Sequence, residues 1–321
     1  MFIHDLPGEI GVAEAVPLEP SPLPPRKVRL HIVALGDVGA TMLIGLRLLG
    51  GDVITSCGIY DLNRKNLERL EMEINQIQYP DGEGDLPAVE IITEDRLFDC
   101  DVFVFCATKG VPPVGSDCDV RMAQFVANRG LAVYFAEMAT RACFKGLVCI
   151  VSDPVDPLCK AFLQVSGLRA SQIQGFGLGV MNGRARYYAC KDGRFASYLT
   201  DGRVYGPHGE DLVVANSLVQ YDDSLSRDLT TLVVRANIAV RNLGYKPYIA
   251  PAFSSAAISV ILALRGSWHY GSIWLGSRSE GAFLGVRNRF YDGRVEYEDV
   301  PVPPALYKRI KKAYLNLCKL S

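Results

Sequence analysis

The sequence predicts an α/β protein in which helices cover both faces of a doubly wound parallel sheet, followed by a smaller α+β unit. Between residues 28 and 157, short and nearly continuous apolar runs alternate with longer amphipathic segments. Such runs are typical of strands buried on both faces, and helices between them make neighbouring strands parallel. Beyond residue 157, alternating patterns, Asp-Gly turns and two long helical segments replace this arrangement.

The elements of the first unit mostly alternate between strand and helix. In chain order we predict the strand Val28–Leu35, the helix Val38–Leu49, the strand Val53–Tyr60, the helix Arg64–Gln78, the strands Val89–Ile92 and Asp101–Cys106, the helix Val120–Phe135 and the strand Leu147–Val151. In the second unit we predict helices over Ser224–Leu243 and Pro303–Leu320. The alternation over Tyr187–Tyr198 is typical of a strand.

The first 26 residues differ from both units. They contain six prolines, four of them between Pro20 and Pro25. Proline lacks the amide hydrogen that a helix interior needs, so we predict no helix here. Residues 1–26 are expected to form an extended tail or arm outside the first domain.

Composition limits the possible partners. Of the 321 residues, 49% are apolar and 21% are charged, which is typical of a folded protein with a sizeable core. The net charge is -1 and there is no basic run, so we expect no nucleic-acid partner. No apolar run reaches the roughly 20 residues that span a bilayer, and the N-terminus does not resemble a signal peptide. We therefore expect a cytoplasmic protein without a membrane partner.

The nine cysteines form no CxxC pair and no spacing typical of a metal site. We interpret them as reduced and mostly buried thiols, and we predict no bound metal.

A glycine-rich turn between the first strand and the first helix predicts a dinucleotide site. Residues 34–39 read Ala-Leu-Gly-Asp-Val-Gly, a variant of GxGxxG with Ala34 in the first glycine position. Gly36 would let the backbone approach a pyrophosphate, and Gly39 would let the helix pack against the strand. The helix N-terminus would face the phosphate charge. The alternative is a structural turn.

Asp61 strengthens this interpretation because it ends the second strand, where an acid can bind the ribose hydroxyls of NAD and repel a 2′-phosphate. The alternative is a surface acid, and Arg64 leaves NADP open. We predict NAD as the cofactor of a Rossmann-type domain, residues 27–157. The predicted cofactor-binding residues are Gly36, Asp37, Val38, Gly39, Asp61, Ala107 and Thr108.

Several segments between residues 28 and 320 resemble, in order, the lactate/malate dehydrogenases. Residues 205–213, Tyr-Gly-Pro-His-Gly-Glu-Asp-Leu-Val, resemble the loop around that family's catalytic histidine. Residues 175–186, Gly-Phe-Gly-Leu-Gly-Val-Met-Asn-Gly-Arg-Ala-Arg, resemble the segment with the histidine's aspartate partner and the arginine that binds the substrate carboxylate. The resemblance implies that His208 is the acid/base and Arg184 the carboxylate-binding residue. Met181 stands in the aspartate's place.

Three further segments complete the resemblance. Residues 151–156, Val-Ser-Asp-Pro-Val-Asp, resemble the Asn-Pro-Val-Asp motif, with Asp153 at the active-site asparagine. Residues 110–121 resemble the mobile active-site loop, and Arg121 keeps its seven-residue spacing from Asn128. Residues 244–246, Gly-Tyr-Lys, resemble the start of a helix that lines the substrate pocket. The resemblance therefore implies that Arg121 and Lys246 bind substrate; a surface position for Lys246 is the alternative.

The resemblance implies an NAD-dependent oxidoreductase that transfers hydride between NAD(H) and a 2-hydroxy/2-oxo acid. It also implies a substrate domain over residues 158–321 and a homodimer or homotetramer. Because the carboxylate is lost at Met181 and one appears at Asp153, our hypothesis is that Asp153 is the catalytic partner of His208. The alternative is a non-catalytic NAD(H)-binding protein, a sensor or scaffold, since methionine cannot stabilise an imidazolium. A third possibility is an NAD-dependent glycosidase of the same architecture. Such enzymes need cysteine and histidine metal ligands beside the cofactor, and the segment after Gly175 contains neither residue until Cys190, which argues against this function.

Overall fold

The computed structural model describes residues 1–82, 84–109 and 120–320, with side chains in the helix that begins at Val120 described from residue 124 onward. Eleven strands are present in these residues. They are β1 (Val28–Val33), β2 (Ile54–Tyr60), β3 (Ala88–Ile91), β4 (Val102–Phe105), β5 (Leu147–Ile150), β6 (Ile173–Gly175), β7 (Arg203–Tyr205), β8 (Val213–Ala215), β9 (His269–Gly276), β10 (Gly281–Tyr291) and β11 (Arg294–Tyr297).

The α-helices of the same residues lie between these strands and at the C-terminal end. They are α1 (Asp37–Leu49), α2 (Arg64–Asn75), α3 (Val120–Arg141), α4 (Val155–Ser166), α5 (Leu178–Lys191), α6 (Tyr198–Asp201), α7 (Asp223–Asn242), α8 (Ile258–Leu264) and α9 (Pro304–Lys319). A π-helix, Pro251–Ala257, leads directly into α8. None of the described helices is long and apolar enough to cross a membrane.

The main sheet has nine strands among the described residues, in the order β11-β10-β9-β6-β5-β4-β1-β2-β3. Strands β1 to β6 pair in parallel, and β9, β10 and β11 add an antiparallel edge. Because β1 lies between β4 and β2, the strand order reverses at β1. In doubly wound sheets, ligands bind at the carboxyl ends of the strands beside such a reversal. The predicted fold, a Rossmann-type parallel sheet followed by an α+β unit, is confirmed.

The core fills both faces of this sheet, as the continuous apolar runs predicted. Leu30 and Ile32 of β1 and Val104 of β4 are fully buried on the face that α1 and α8 cover. Phe103 and Phe105 of β4 are fully buried on the opposite face, under α3 and α4. The division of the chain at residue 157 stays a prediction. That residue lies within α4, and the same sheet takes strands from both sides of it.

The N-terminal segment corrects one expectation. Ile3–Ile10 forms a 3-10 helix that contains Pro7, so the prediction of no helix is wrong for these residues. Ile3 and Leu6 are fully buried, and the Glu9 carboxylate accepts a hydrogen bond of 3.2 Å from the Tyr307 hydroxyl of α9. Tertiary burial stabilises a helix too short to persist alone. Most of the segment's prolines follow this helix.

The segment Tyr187–Tyr198 corrects a second expectation, since no strand forms there. Helix α5 continues to Lys191, a 3-10 turn follows, and α6 begins at Tyr198. The buried residues Met181, Ala185 and Ala189 are spaced four apart, which is a helical period. The segment with alternating apolar and polar residues begins at Tyr187, which is an exposed residue in the last turns of this helix. The alternation therefore suggested a strand where the chain is helical.

The described cysteines are free thiols, and only part of the expectation about their burial holds. Cys57, Cys149 and Cys159 are buried, whereas Cys143 and Cys190 are exposed. Cys118 lies outside the described residues.

Candidate active site

The glycine-rich turn joins β1 to α1 at the carboxyl edge of the sheet. A Cβ atom on Gly39 would lie 2.2 Å from the Ala34 carbonyl oxygen, so only glycine lets α1 pack this closely against the strand. A Cβ atom on Gly36 would meet nothing within 4 Å. The space above Gly36 is therefore open to a ligand. Ala34, in the first glycine position, has a left-handed φ of 70°.

Asp61 holds the turn in place from the end of β2. Its carboxylate accepts hydrogen bonds from the Leu35 amide at 2.6 Å and from the Asn63 amide at 2.8 Å. Asn66 donates to the Leu35 carbonyl at 3.0 Å. Asp61 and the glycine-rich turn thus form one structural unit. Asp37 and Val38, which begin α1, extend this unit.

Residues beyond β4 form the opposite wall of this region. Ala107 is buried, and its carbonyl accepts a hydrogen bond of 2.7 Å from the Ser152 hydroxyl. Thr108 follows it and is exposed. Fully buried Asn128 accepts from the Lys109 amide at 2.9 Å and donates to the Asp153 carbonyl at 2.8 Å. Asn128 therefore links the segment after β4 to the segment after β5.

The Asp153 carboxylate and the His208 ring are in direct contact. Oδ1 of Asp153 lies 2.9 Å from Nδ1 of His208, although the two residues are 55 positions apart. The His208 side chain is 19% exposed and the Asp153 side chain is 44% exposed, so the pair lies at the border between core and solvent. The contact expected from the sequence is present. The catalytic roles assigned to the two residues stay predictions.

Gly177 explains how His208 reaches this position. A Cβ atom on Gly177 would lie 3.0 Å from the Cβ atom of His208 and 2.9 Å from Cγ2 of Val155. Any side chain here would displace the histidine or the start of α4. The three segments 151–156, 175–186 and 205–213 therefore meet around Gly177.

Ser255 of the π-helix is a supporting residue that the sequence analysis missed. Its hydroxyl donates to the Gly177 carbonyl at 2.7 Å and accepts from the Val180 amide at 2.8 Å. It thus fixes the turn between β6 and α5. Gly177 of this turn packs against His208. A serine in an alanine- and serine-rich helix gives no sequence signal for this role.

Arg184 projects from α5 and is partly buried. Its Nη1 lies 3.6 Å from the Met181 sulfur and 3.4 Å from the Val233 carbonyl oxygen. Burial lowers the pKa of the guanidinium, and the negative charge of Asp153 acts in the opposite direction. Arg184 is therefore a partly desolvated cation within the electrostatic reach of Asp153.

Lys246 and Arg121 are the two remaining predicted substrate ligands. Lys246 is 81% exposed and forms an ion pair of 3.0 Å with Asp37 at the start of α1. Among the described contacts, none joins it to His208 or Arg184, so its substrate-binding role stays a prediction. Arg121 belongs to the first turn of α3, but its side chain and the loop 110–119 lie outside the described residues.

Comparison with known proteins agrees with the resemblance seen in the sequence. No model of a known protein family matches the chain. An L-lactate dehydrogenase of Treponema denticola is 25% identical over 193 residues, which cover 60% of this chain and 58% of that protein. A probable L-lactate dehydrogenase of Schizosaccharomyces pombe is 24% identical over 193 residues, covering 58% of this chain and 53% of that protein. The match thus spans little more than half of each relative.

Solved structures match over most of the chain. A minor L-lactate dehydrogenase of Enterococcus mundtii superimposes with a TM-score of 0.74 at 19% identity, covering 91% of this chain and 96% of that chain. A malate dehydrogenase of Picrophilus torridus gives a TM-score of 0.73 at 18% identity, with coverage of 91% and 96%. The fold defines a Rossmann-type α/β protein. Within that class the chain resembles L-lactate dehydrogenases in sequence at 24–25% identity and lactate and malate dehydrogenases in fold, which confirms the predicted resemblance.

Proposed function

We propose that this chain is an NAD-dependent oxidoreductase that transfers hydride between NAD(H) and a 2-hydroxy/2-oxo acid. The observation that supports it best is the 2.9 Å contact between His208 and Asp153. Gly36, Ala107 and Asp153 follow β1, β4 and β5, so all three lie at the carboxyl edge of the parallel sheet. The proposed cofactor site and the proposed acid/base therefore share one edge, where doubly wound proteins bind their ligands.

The residues of this edge fit a dinucleotide. The open space above Gly36 leaves room for a pyrophosphate at the N-terminus of α1, whose amide groups favour an anion. The Asp61 carboxylate, held beside the turn, favours ribose hydroxyls over a 2′-phosphate. Arg64 is paired with Glu68 at 2.9 Å, which supports NAD rather than NADP. When bound, NADH would supply the hydride.

The protein's own groups would manage charge and protons. Arg184 would bind the substrate carboxylate, because a guanidinium matches that group with two parallel hydrogen bonds. His208, as imidazolium, would donate its Nε2 proton to the substrate carbonyl oxygen as that oxygen gains charge. Asp153 would accept the Nδ1 hydrogen, which fixes the ring orientation and stabilises the imidazolium. Arg121 would polarise the carbonyl when its loop closes.

A non-catalytic NAD(H)-binding protein is the second candidate, and Met181 is the observation that favours it. The methionine occupies the position where the related enzymes keep the aspartate partner, and its sulfur contacts Arg184. Thioether sulfur cannot hold a proton or stabilise an imidazolium. In this alternative, the glycine-rich turn and Asp61 keep their function while His208 and Asp153 have only a structural one.

Two measurements on the purified chain decide between these functions. Titration of NADH fluorescence tests cofactor binding in both cases. Oxidation of NADH is then followed with pyruvate, oxaloacetate and bulkier 2-oxo acids, beside a His208→Asn control. We expect saturable binding by both proteins and turnover by the unmodified chain alone. Tight binding without turnover on any of these acids would favour the non-catalytic function.

A homo-oligomer, dimer or tetramer, belongs to the same proposal. Helix α1 leaves Leu48 and Leu49 44% and 48% exposed, and α7 leaves Ile238 50% exposed. Leu243, directly after α7, is 75% exposed. We infer that these helices are where another subunit would pack, since exposed apolar surface of this kind is often covered in an oligomer.

A further inference from the structure

Asp156 is a buried carboxyl group that neither the sequence analysis nor the proposed mechanism uses. Its residue is only 3% exposed, in the first turn of α4. Within the described part of the chain, its Oδ1 atom is buried without a hydrogen-bond partner. A buried carboxylate oxygen without a partner is costly, so such a group needs an explanation.

The position of Asp156 relates it to the His208–Asp153 pair. It is separated from Asp153 only by Pro154 and Val155, where the chain enters α4. Val155 and His208 approach the same point from two sides, since both would contact a Cβ atom on Gly177. Asp156 is therefore the buried acid of this region, whereas the Asp153 side chain is 44% exposed.

Several groups face the Asp156 carboxyl. Burial raises its pKa to about 6; the Ser272 hydroxyl of β9 and the His208 charge oppose this rise, and the Asp153 charge adds to it. The Cys159 thiol of α4 lies on the same side, and burial followed by the Asp156 charge raises the pKa of that thiol. His208 is the single potential cation of this group, so its ring is where the negative charge of Asp156 has its stabilising effect.

We propose that Asp156 is a positioning residue for His208, supplying a second negative charge behind the imidazolium that Asp153 holds by hydrogen bond. Two acids would then share the two functions that the resemblance assigns to a single aspartate, orienting the ring and stabilising its protonated form. Asp153 orients the ring through Nδ1, and Asp156 stabilises the protonated ring through its charge. This inference rests on the proposed function, because it assigns the role of Asp156 to proton donation by His208.

The variant Asp156→Asn tests this role, since it keeps the shape of the side chain and removes its charge. Without that charge, His208 should lose its proton at a pH lower by about one unit. NADH-dependent reduction, which needs the protonated ring, should then decline at correspondingly lower pH. Cys159→Ala is the matched control: it changes the packing on the same side of α4 but removes neither a charge nor a hydrogen bond from Asp156, so its pH profile should stay in place.

Histidine NMR separates this inference from the proposed function. The ring signal of His208 is assigned by its absence in His208→Asn and is titrated in the unmodified chain, Asp156→Asn and Cys159→Ala. A shift of the His208 titration in Asp156→Asn alone supports the inference, even if no 2-oxo acid is turned over. An unshifted titration, or an equal shift in Cys159→Ala, overturns it, even in an active enzyme.

Discussion

Oδ1 of Asp153 lies 2.9 Å from Nδ1 of His208, at the place where the segment after β5 meets the loop between β7 and β8. A carboxylate in this position can accept the Nδ1 hydrogen and leave Nε2 available to a substrate. The resemblance implies an acid partner on α5, at Met181, whereas the acid in contact with His208 here belongs to the segment after β5.

Alanine substitutions at the two glycines of the nucleotide turn should affect different properties, NADH affinity at Gly36 and stability at Gly39. Gly36→Ala should leave the free energy of unfolding within about 0.5 kcal/mol of the unmodified chain, because its added methyl group enters open space. The same methyl group should weaken NADH binding about tenfold or more, since it fills the space proposed for the pyrophosphate. Fluorescence titration gives the affinity and thermal melting gives the stability.

Gly39→Ala is the comparison. Its methyl group would lie 2.2 Å from the Ala34 carbonyl oxygen, so α1 must move away from β1. We expect a loss of roughly 1–3 kcal/mol in the free energy of unfolding, the usual cost of overpacking. Equal effects of the two substitutions on binding and stability would contradict the assignment of Gly36 to the ligand.

Met181→Asp should rescue an enzyme that lacks Asp153. The double variant Asp153→Asn/Met181→Asp introduces at both positions the residue that the resemblance implies. If the acid beside His208 can come from either segment, kcat/KM of the double variant should exceed that of Asp153→Asn by about tenfold or more, a gain of roughly 1.4 kcal/mol in transition-state stabilisation. Circular dichroism confirms that both proteins fold. A double variant no better than the single one argues against exchange of the acid between segments.

Asp156→Asn should stabilise the chain in a pH-dependent manner. The folded protein raises the pKa of Asp156 from 3.8 to about 6, so between these values the folded state binds more protons than the unfolded state. The free energy of unfolding therefore falls as pH rises through this window and stays lowered above it. The amide variant avoids this loss, which amounts to about 3 kcal/mol for a shift of this size.

Thermal melting of the unmodified chain and of Asp156→Asn at pH 4 and pH 8 tests the direction of this pH dependence. The stability difference in favour of Asp156→Asn should be small at pH 4 and large at pH 8. A difference that is the same at both pH values would show that the carboxyl group is not forced to ionise in a buried site.

A charge on the exposed apolar surface of α7 should change the assembly. We expect Ile238→Glu to shift the solution mass from an oligomer to the monomer, because a buried unpaired carboxylate disfavours an apolar interface. Val219→Glu, at another exposed apolar residue before α7, serves as the control and should leave the mass unchanged. Light scattering after size exclusion gives both masses. An Ile238→Glu oligomer of unchanged mass would place the interface elsewhere.

The parallel sheet and its main helices could be predicted because burial on both faces leaves continuous apolar runs, as in β4 and β5. The contact between Asp153 and His208 could be predicted from two departures from the family pattern, the carboxylate lost at Met181 and the carboxylate gained at Asp153. Other features depend on distant partners. The helix Ile3–Ile10 is held by α9 and β9 rather than by its own sequence, which proline makes look non-helical.

The supporting residues of the site left no signal in the sequence. Ser255 reaches Gly177 across 78 positions, and nothing local indicates that contact. Asp156 belongs to the segment 151–156, which resembles the family, but its unpartnered oxygen depends on how α4 is buried against the sheet. The segment of Lys246 predicts a substrate ligand, whereas the pairing of this lysine with Asp37 depends on how the loop after α7 folds back to α1.

The most direct test of the central claim is kcat/KM for reduction of the best 2-oxo acid by Asp153→Asn. Asp95→Asn, which changes an exposed acid after β3, is the control. If Asp153 is the partner of His208, the substitution should lower kcat/KM by up to about 10⁴-fold, the effect of the corresponding change in serine proteases. The control should retain full activity. An active enzyme whose turnover and pH profile are unchanged in Asp153→Asn would contradict the account.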